Sequence, residues 1–132
     1  MAKATKVNQL IVETPDEVGM MAKLCSAISD AGVNIKALCA YSQEGKGHFM
    51  LLTNDNAKAE QVLKSGGFTA SQEEVVAIEL ENEVGAAKKM TQKLADAGVN
   101  LKYCYGSTGN GTMALLIFNS NDNEKALEAL GT

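Results

Sequence analysis

The chain has 132 residues, 45% of them hydrophobic and 21% charged, which is enough apolar material for one ordinary domain or two very small ones and argues against disorder. A formal net charge of -4 without any Lys/Arg run excludes the electrostatic footprint of a nucleic-acid or anionic-membrane binder. The longest apolar stretches, such as Met50 to Leu52 and Met113 to Phe118, fall far short of a membrane span. Residues 1–6 carry no apolar signal region, so the expected location is cytoplasmic.

Residues 7–14 hold the run Leu10-Ile11-Val12 and stop before Pro15, which reads as a buried strand. Met21, Leu24, Cys25 and Ile28 then fall at i, i+3, i+4 and i+7, the spacing of one helix face, and Gly32 supplies a left-handed stop. Strands over about 34–42 and 47–53 follow, joined across Glu44-Gly45-Lys46-Gly47, a tight-turn composition. A second helix is expected at 56–65 behind an Asn/Asp cap cluster, and Phe68-Thr69-Ala70-Ser71 is long enough for a short fourth strand.

The same series then recurs. Residues 74–80 carry Val75, Val76, Ile78 and Leu80 as a strand. Ala87, Met90, Leu94 and Ala97 mark a helix stopped by Gly98. Strands at 100–107 and 112–119 flank Thr108-Gly109-Asn110-Gly111, and a last helix covers 123–130. The offset is 66: Glu17-Val18-Gly19 returns as Glu83-Val84-Gly85, and Asp30-Ala31-Gly32-Val33-Asn34 returns as Asp96-Ala97-Gly98-Val99-Asn100. Ten of the twenty residues from 17 to 36 are identical to their counterparts. After a one-residue slip, Asn56–Leu63 aligns with Asn123–Leu130. The chain is thus a duplicated α+β unit, divided at 1–71 and 72–132, each copy in the ferredoxin-like order βαββαβ. Copy two reaches Thr132 directly after its second helix, so its last strand is missing from the chain. A vacant sheet edge invites strand pairing, which predicts self-association as a homodimer.

Little in the sequence suggests catalysis. His48 is the one histidine, with no Cys/His or Asp/His cluster near it; a structural or exposed role is favoured over a functional one. Multi-histidine metal sites, EF-hand spacing and GxSxG elbows are absent, so no metal or cofactor is expected. Cys25, Cys39 and Cys104 form no CxxC pair and read as reduced thiols, Cys25 in the core and Cys39 and Cys104 on matching strands. Gly106-Ser107-Thr108-Gly109-Asn110-Gly111 lacks the GK[ST] ending of a phosphate loop and reads as a hairpin turn. Tyr41, Tyr103 and Tyr105 either pack on a sheet or stack on a ligand. Asp16–Gly19 and Asn82–Gly85 lie between a strand and a helix start, where free N–H groups and the helix dipole favour an anion. Asn34 and Asn100 either satisfy a loop or bind the polar groups of a ligand.

The strand, then Asp16-Glu17-Val18-Gly19, then a helix ending Ala31-Gly32-Val33-Asn34-Ile35, resembles the ACT domain, and Asn82-Glu83-Val84-Gly85 with Gly98-Val99-Asn100-Leu101 repeats the likeness. The resemblance covers about residues 7–130 and is similar to free-standing tandem ACT proteins. It implies two units paired side by side, their antiparallel sheets sharing one helix-covered face, and regulation by an amino acid bound at the junction between units. The strand-to-helix loop of one unit and the Asn of another would contribute. The implied ligand residues are Asp16, Glu17, Val18, Gly19, Asn34 and Ile35 in one copy, and Asn82, Glu83, Val84, Gly85, Asn100 and Leu101 in the other. The family usually has Pro just before the loop Gly, where this chain has Val18 and Val84. A non-enzymatic amino-acid sensor, signalling to a regulated enzyme or transcription partner, is the expected function. The alternatives are a protein-interaction module that no longer binds an amino acid, and an enzyme or metal-dependent protein.

Overall fold

The computed structural model describes residues 3–109 and 111–131. The elements are β1 (Lys3–Pro15), α1 (Met20–Asp30), β2 (Ile35–Gln43), β3 (Lys46–Thr53), α2 (Asn56–Ser65), β4 (Thr69–Glu81), α3 (Ala86–Asp96), β5 (Leu101–Ser107), β6 (Met113–Ser120) and α4 (Asn123–Ala129). Each copy is βαββαβ in character, with an antiparallel sheet covered by helices on one face. The expected fourth strand of copy one and first strand of copy two are one continuous strand, β4. The turn residue Asn110 lies outside the described residues.

The compact units follow packing rather than the repeat boundary. One is Asn8–Glu73. The other joins the described residues before Asn8 to those from Glu74 onward. β1 and β4 are each thirteen residues long and have the same burial pattern, residue for residue. Each therefore begins as the last strand of one unit and ends as the first strand of the other.

In the unit Asn8–Glu73 the strand order is β2-β3-β1-β4. β3 pairs antiparallel with β1, Leu10 opposite Leu51, and with β2, Leu38 opposite Leu51. Leu10, Val12, Phe49 and Leu51 face Leu24 and Ile28 of α1 and Leu63 of α2 in one core. Leu24 and Ile28 are buried as the helical spacing predicts, Cys25 packs against the core half-buried, and Met21 is exposed instead. Burying each such aliphatic side chain contributes about 1.5–3 kcal/mol.

The second unit repeats this with β1-β4-β6-β5. Val76, Ile78 and Leu80 of β4 and Phe118 of β6 pack on Met90 and Leu94 of α3. No strand follows α4 among the described residues. Ala4 instead enters this core, 4% exposed, as Ala70 enters the core of the other unit. Lys6 hydrogen-bonds Glu124 of α4, which holds its pKa above the ordinary lysine value. The edge expected to be vacant is filled within the unit, so it supplies no reason for pairing with a second copy.

The starts of α2 and α4 share one arrangement. Asp55 and Asp122 accept from the N–H of Lys58 and Lys125, at 3.1 and 3.0 Å. The Asn56 amide donates to the Asn8 carbonyl at 2.6 Å, and the Asn123 amide to the Glu74 carbonyl at 3.2 Å. Each helix is thereby tied to the strand that opens its unit. Gly32 and Gly98 have φ +76° and +74°, the left-handed stop expected after α1 and α3.

Placing a carboxylate among the apolar neighbours of Ala4 tests the role of the first half of β1. Ala4→Glu is expected to cost roughly 2–4 kcal/mol and to speed amide exchange in α4 and β6. Unchanged stability to urea would remove residues 3–7 from that core.

Candidate functional site

Two of the four helices start without a cap. α2 and α4 have their Asp55 and Asp122 side chains, whereas α1 and α3 start at Gly19 and Gly85 with no side-chain cap and no acidic residue in the first turn. Both glycines have φ +89°, a left-handed conformation strained for any other residue, although a Cβ there would meet open space. Among the described residues, the N–H groups of Met21 and Ala22, and of Ala87 and Lys88, have no protein acceptor. Unpaired N–H groups at the positive end of a helix dipole attract an anion.

Each uncapped start borders a cavity. In the unit Asn8–Glu73 a space of about 260 Å³ is lined by Thr14–Glu17, Gly19–Met21, Ala40–Ser42, Gly47 and Phe49. In the other unit a space of about 280 Å³ is lined by Leu80–Glu83, Ala86, Ala87, Gly106–Thr108, Ala114 and Leu116. Most lining positions correspond through the repeat. Of the expected loop residues, Asp16, Glu17 and Gly19 line the first cavity and Asn82 and Glu83 the second, with Gly85 bordering the latter as the cap of α3. Val18 and Val84 are fully exposed, at 106% and 104%.

The hairpins close one side of each cavity. Asp16 donates its N–H to the Gly45 carbonyl at 3.3 Å, and Asn82 its N–H to the Thr112 carbonyl at 2.8 Å. The strands approach closely here: a Cβ on Gly47 would lie 2.6 Å from Thr14 Oγ1, and one on Gly106 2.3 Å from the Leu115 carbonyl oxygen. Glu13 of β1 and Lys46 of β3 pair at 2.9 Å across the adjoining strands. The Lys46 ammonium, hydrogen-bonded to it, holds the Glu13 carboxyl below its ordinary value. Glu13, His48 and Tyr41 form one cross-strand row, and the Tyr41 and His48 rings stack at 5.0 Å and 17°. His48 is thus half-buried and partnered within the sheet. Of the three tyrosines, Tyr41 lines a cavity, whereas Tyr103 and Tyr105 line none of those described above.

Asn34 and Asn100 sit elsewhere. Asn34 precedes β2, and its N–H donates to Asn54 Oδ1 at 3.0 Å while its carbonyl accepts from the Asn54 N–H at 3.1 Å. Asn100 has the same clasp with Asn121, at 3.1 and 3.0 Å. The loop-satisfying amides are therefore Asn54 and Asn121, and the side chain of Asn34 is exposed without a partner among the described residues. The loop Asp16–Gly19 is at the other end of β2, roughly 26 Å away at 3.3 Å per residue. Ile35 and Leu101 are half-buried against their cores, beside the asparagines rather than the loops. No single unit brings all its expected ligand residues together. Asn54 and Asn121 went unnoticed in the sequence, although they repeat at an offset of 67 immediately before the cap cluster.

The family described as an ACT domain pair matches residues 5–131. The chain belongs to this family. A solved structure, protein BT0572 from Bacteroides thetaiotaomicron, is similar to it at 25% identity with a TM-score of 0.90, covering 96% of this chain and 88% of that one. The ligand-free regulatory subunit of aspartate kinase from Thermus thermophilus shares the fold at 19% identity and TM-score 0.70, covering 96% and 95%. The corresponding subunit from Thermus flavus does so at 17% and 0.66, covering 98% and 94%. No curated protein matches the sequence.

ACT domains are a regulatory family. No group of three or more His, Cys, Asp or Glu among the described residues is arranged to hold a metal. Among those residues no helix of the ACT pair is long and apolar enough to cross a membrane.

The Glu13–Lys46 ion pair between β1 and β3 makes a pH prediction. A carboxylate whose folded pKa is depressed contributes stability above its unfolded pKa, and that contribution is lost as pH falls through the folded value. Lys46→Met is expected to raise the Glu13 midpoint toward 4.5 in a carboxyl-carbon NMR titration. An unmoved midpoint would remove Lys46 as the cause.

Proposed function

We propose that this ACT pair is a non-enzymatic regulatory protein that binds a free amino acid beside the uncapped starts of α1 and α3. The observation that carries this reading is the coincidence, in both units, of an uncapped helix start with a cavity. The ligand carboxylate accepts from the free N–H groups of the first helical turn. Its ammonium meets the carboxylates of the loop, and its side chain meets apolar walls such as Phe49 or Leu116. Each cavity wall carries acidic side chains and no Lys, Arg or His, which disfavours a dicarboxylic or phosphorylated ligand. Asn34 or Asn100 completes the site from a second copy of the chain. A ligand held by two units favours one arrangement of them, and that shift is the signal passed to a partner.

The partner we infer is a regulated protein, an enzyme or a transcription factor. The fold shared with structures named as aspartate kinase regulatory subunits supports an enzyme as one such partner. A second reading, an interaction module without an amino acid, is favoured by one observation: Val18 and Val84 are apolar and fully exposed at the same loop position. Such side chains suit a protein surface that covers them.

A thermal-shift screen of the twenty amino acids separates these readings. A ligand at about a hundred times its Kd adds roughly 2.7 kcal/mol, a rise of about 10 °C for a chain of this size. One or a few related amino acids are expected to give that rise; none doing so moves the function to the interaction module. The double change Asn34→Ala with Asn100→Ala is expected to abolish the shift while leaving the unliganded melting point in place. Retained affinity in that variant would take both asparagines out of the site.

A further inference from the structure

Resting on the amino-acid reading, we propose that the two cavities are unequal, and that the one in the unit Asn8–Glu73 is the ammonium-selective site. The difference lies at one pair of corresponding positions, Asp16 and Asn82. Both residues line a cavity and both tie their loop to the hairpin through a backbone N–H. Only Asn82 adds a side-chain tie, its amide donating to the Gly111 carbonyl at 3.2 Å. That bond requires a donor, which a carboxylate lacks. Asn82 is therefore occupied as a strut between loop and hairpin. The Asp16 carboxylate has no hydrogen bond or ion pair among the described residues.

The remaining charges reinforce the contrast. Asp16 and Glu17 both stand open to a ligand at the first cavity. At the second, Glu81 is already engaged, which leaves Glu83. An ammonium entering the first cavity thus finds one more unpaired carboxylate than in the second. The walls differ as well: Met20, Met21 and Tyr41 correspond to Ala86, Ala87 and Ser107. Thioether and aromatic groups give a ligand more to contact in the first cavity. The second is floored by Leu80, Ala114 and Leu116, and offers mainly apolar contact.

The test follows the amide signals of Gly19 and Gly85 in the full chain by NMR. The chain is titrated with L-alanine, L-leucine and L-methionine, and with their 2-hydroxy acid counterparts, which lack the ammonium. Gly19 is expected to respond at about tenfold lower amino-acid concentration than Gly85, the size of one charge-assisted hydrogen bond. The hydroxy acids are expected to show no such preference. Asp16→Asn, an exposed and nearly isosteric change, should bring the Gly19 midpoint to that of Gly85. Equal midpoints in the unaltered chain, or a Gly19 midpoint unmoved by Asp16→Asn, overturn the inequality while leaving amino-acid binding in place. Silence of both glycines toward all three, together with no thermal shift from any of the twenty amino acids, overturns the inequality along with the reading on which it rests.

Discussion

A small antiparallel sheet with one helix-covered face has to close its core with a strand beside its first one, and this chain meets that requirement by running two long strands through both of its units. β1 and β4 each serve one unit with their first half and the other with their second. The first strand of each unit is also where the second helix is anchored, through Asn56 on Asn8 and Asn123 on Glu74. Those two contacts fall at the point where each strand passes from one unit to the other. The helix caps, the strand exchange and the core are one arrangement, repeated with the same residue types.

The sequence displayed the local structure well because its signals are local. Helical spacing placed Leu24, Ile28, Met90 and Leu94 in the cores, and turn composition placed both hairpins. What the spacing did not display was where each strand's partners lie. The polar stretch Lys3-Ala4-Thr5-Lys6 has no apolar run, so nothing local marks it as a strand with a buried member. Carried back at the same offset, however, the repeat sets Ala4 against Ala70 and Thr5 against Ser71, residues already read as a closing strand. The signal lay in the duplication rather than in hydropathy. Met21 went the other way: its spacing fits the buried stripe, but in the first turn of α1 it lies beyond the core and at the rim of the cavity.

The candidate site was legible as loops and not as a place. The pattern of a strand, a short acidic segment, a glycine and a helix pointed to free N–H groups, and the uncapped starts of α1 and α3 follow from it. The distance between the loops and Asn34 or Asn100 did not, because β2 and β5 separate them by their own length. An asparagine flanking a strand is equally compatible with binding and with holding a loop. In this structure the clasp belongs to the neighbours Asn54 and Asn121.

Capping gives the strongest internal argument that the loops serve something other than folding. A capping side chain contributes roughly 1 kcal/mol, which a left-handed glycine forgoes. The same chain uses such caps twice, at Asp55 and Asp122, and at both it retains them through the duplication. At α1 and α3 both copies instead keep a left-handed glycine, preceded by a valine that packs against nothing. The glycine meets the positive φ of the turn, which strains any other residue, whereas the valine adds exposed apolar surface with no packing in return. Two copies that differ at half of the positions around them agree on Glu-Val-Gly at this turn. Folding accounts for the caps that are present and for the left-handed glycines; the exposed valine and the cavity beside each uncapped start are the features on which the proposed binding function rests.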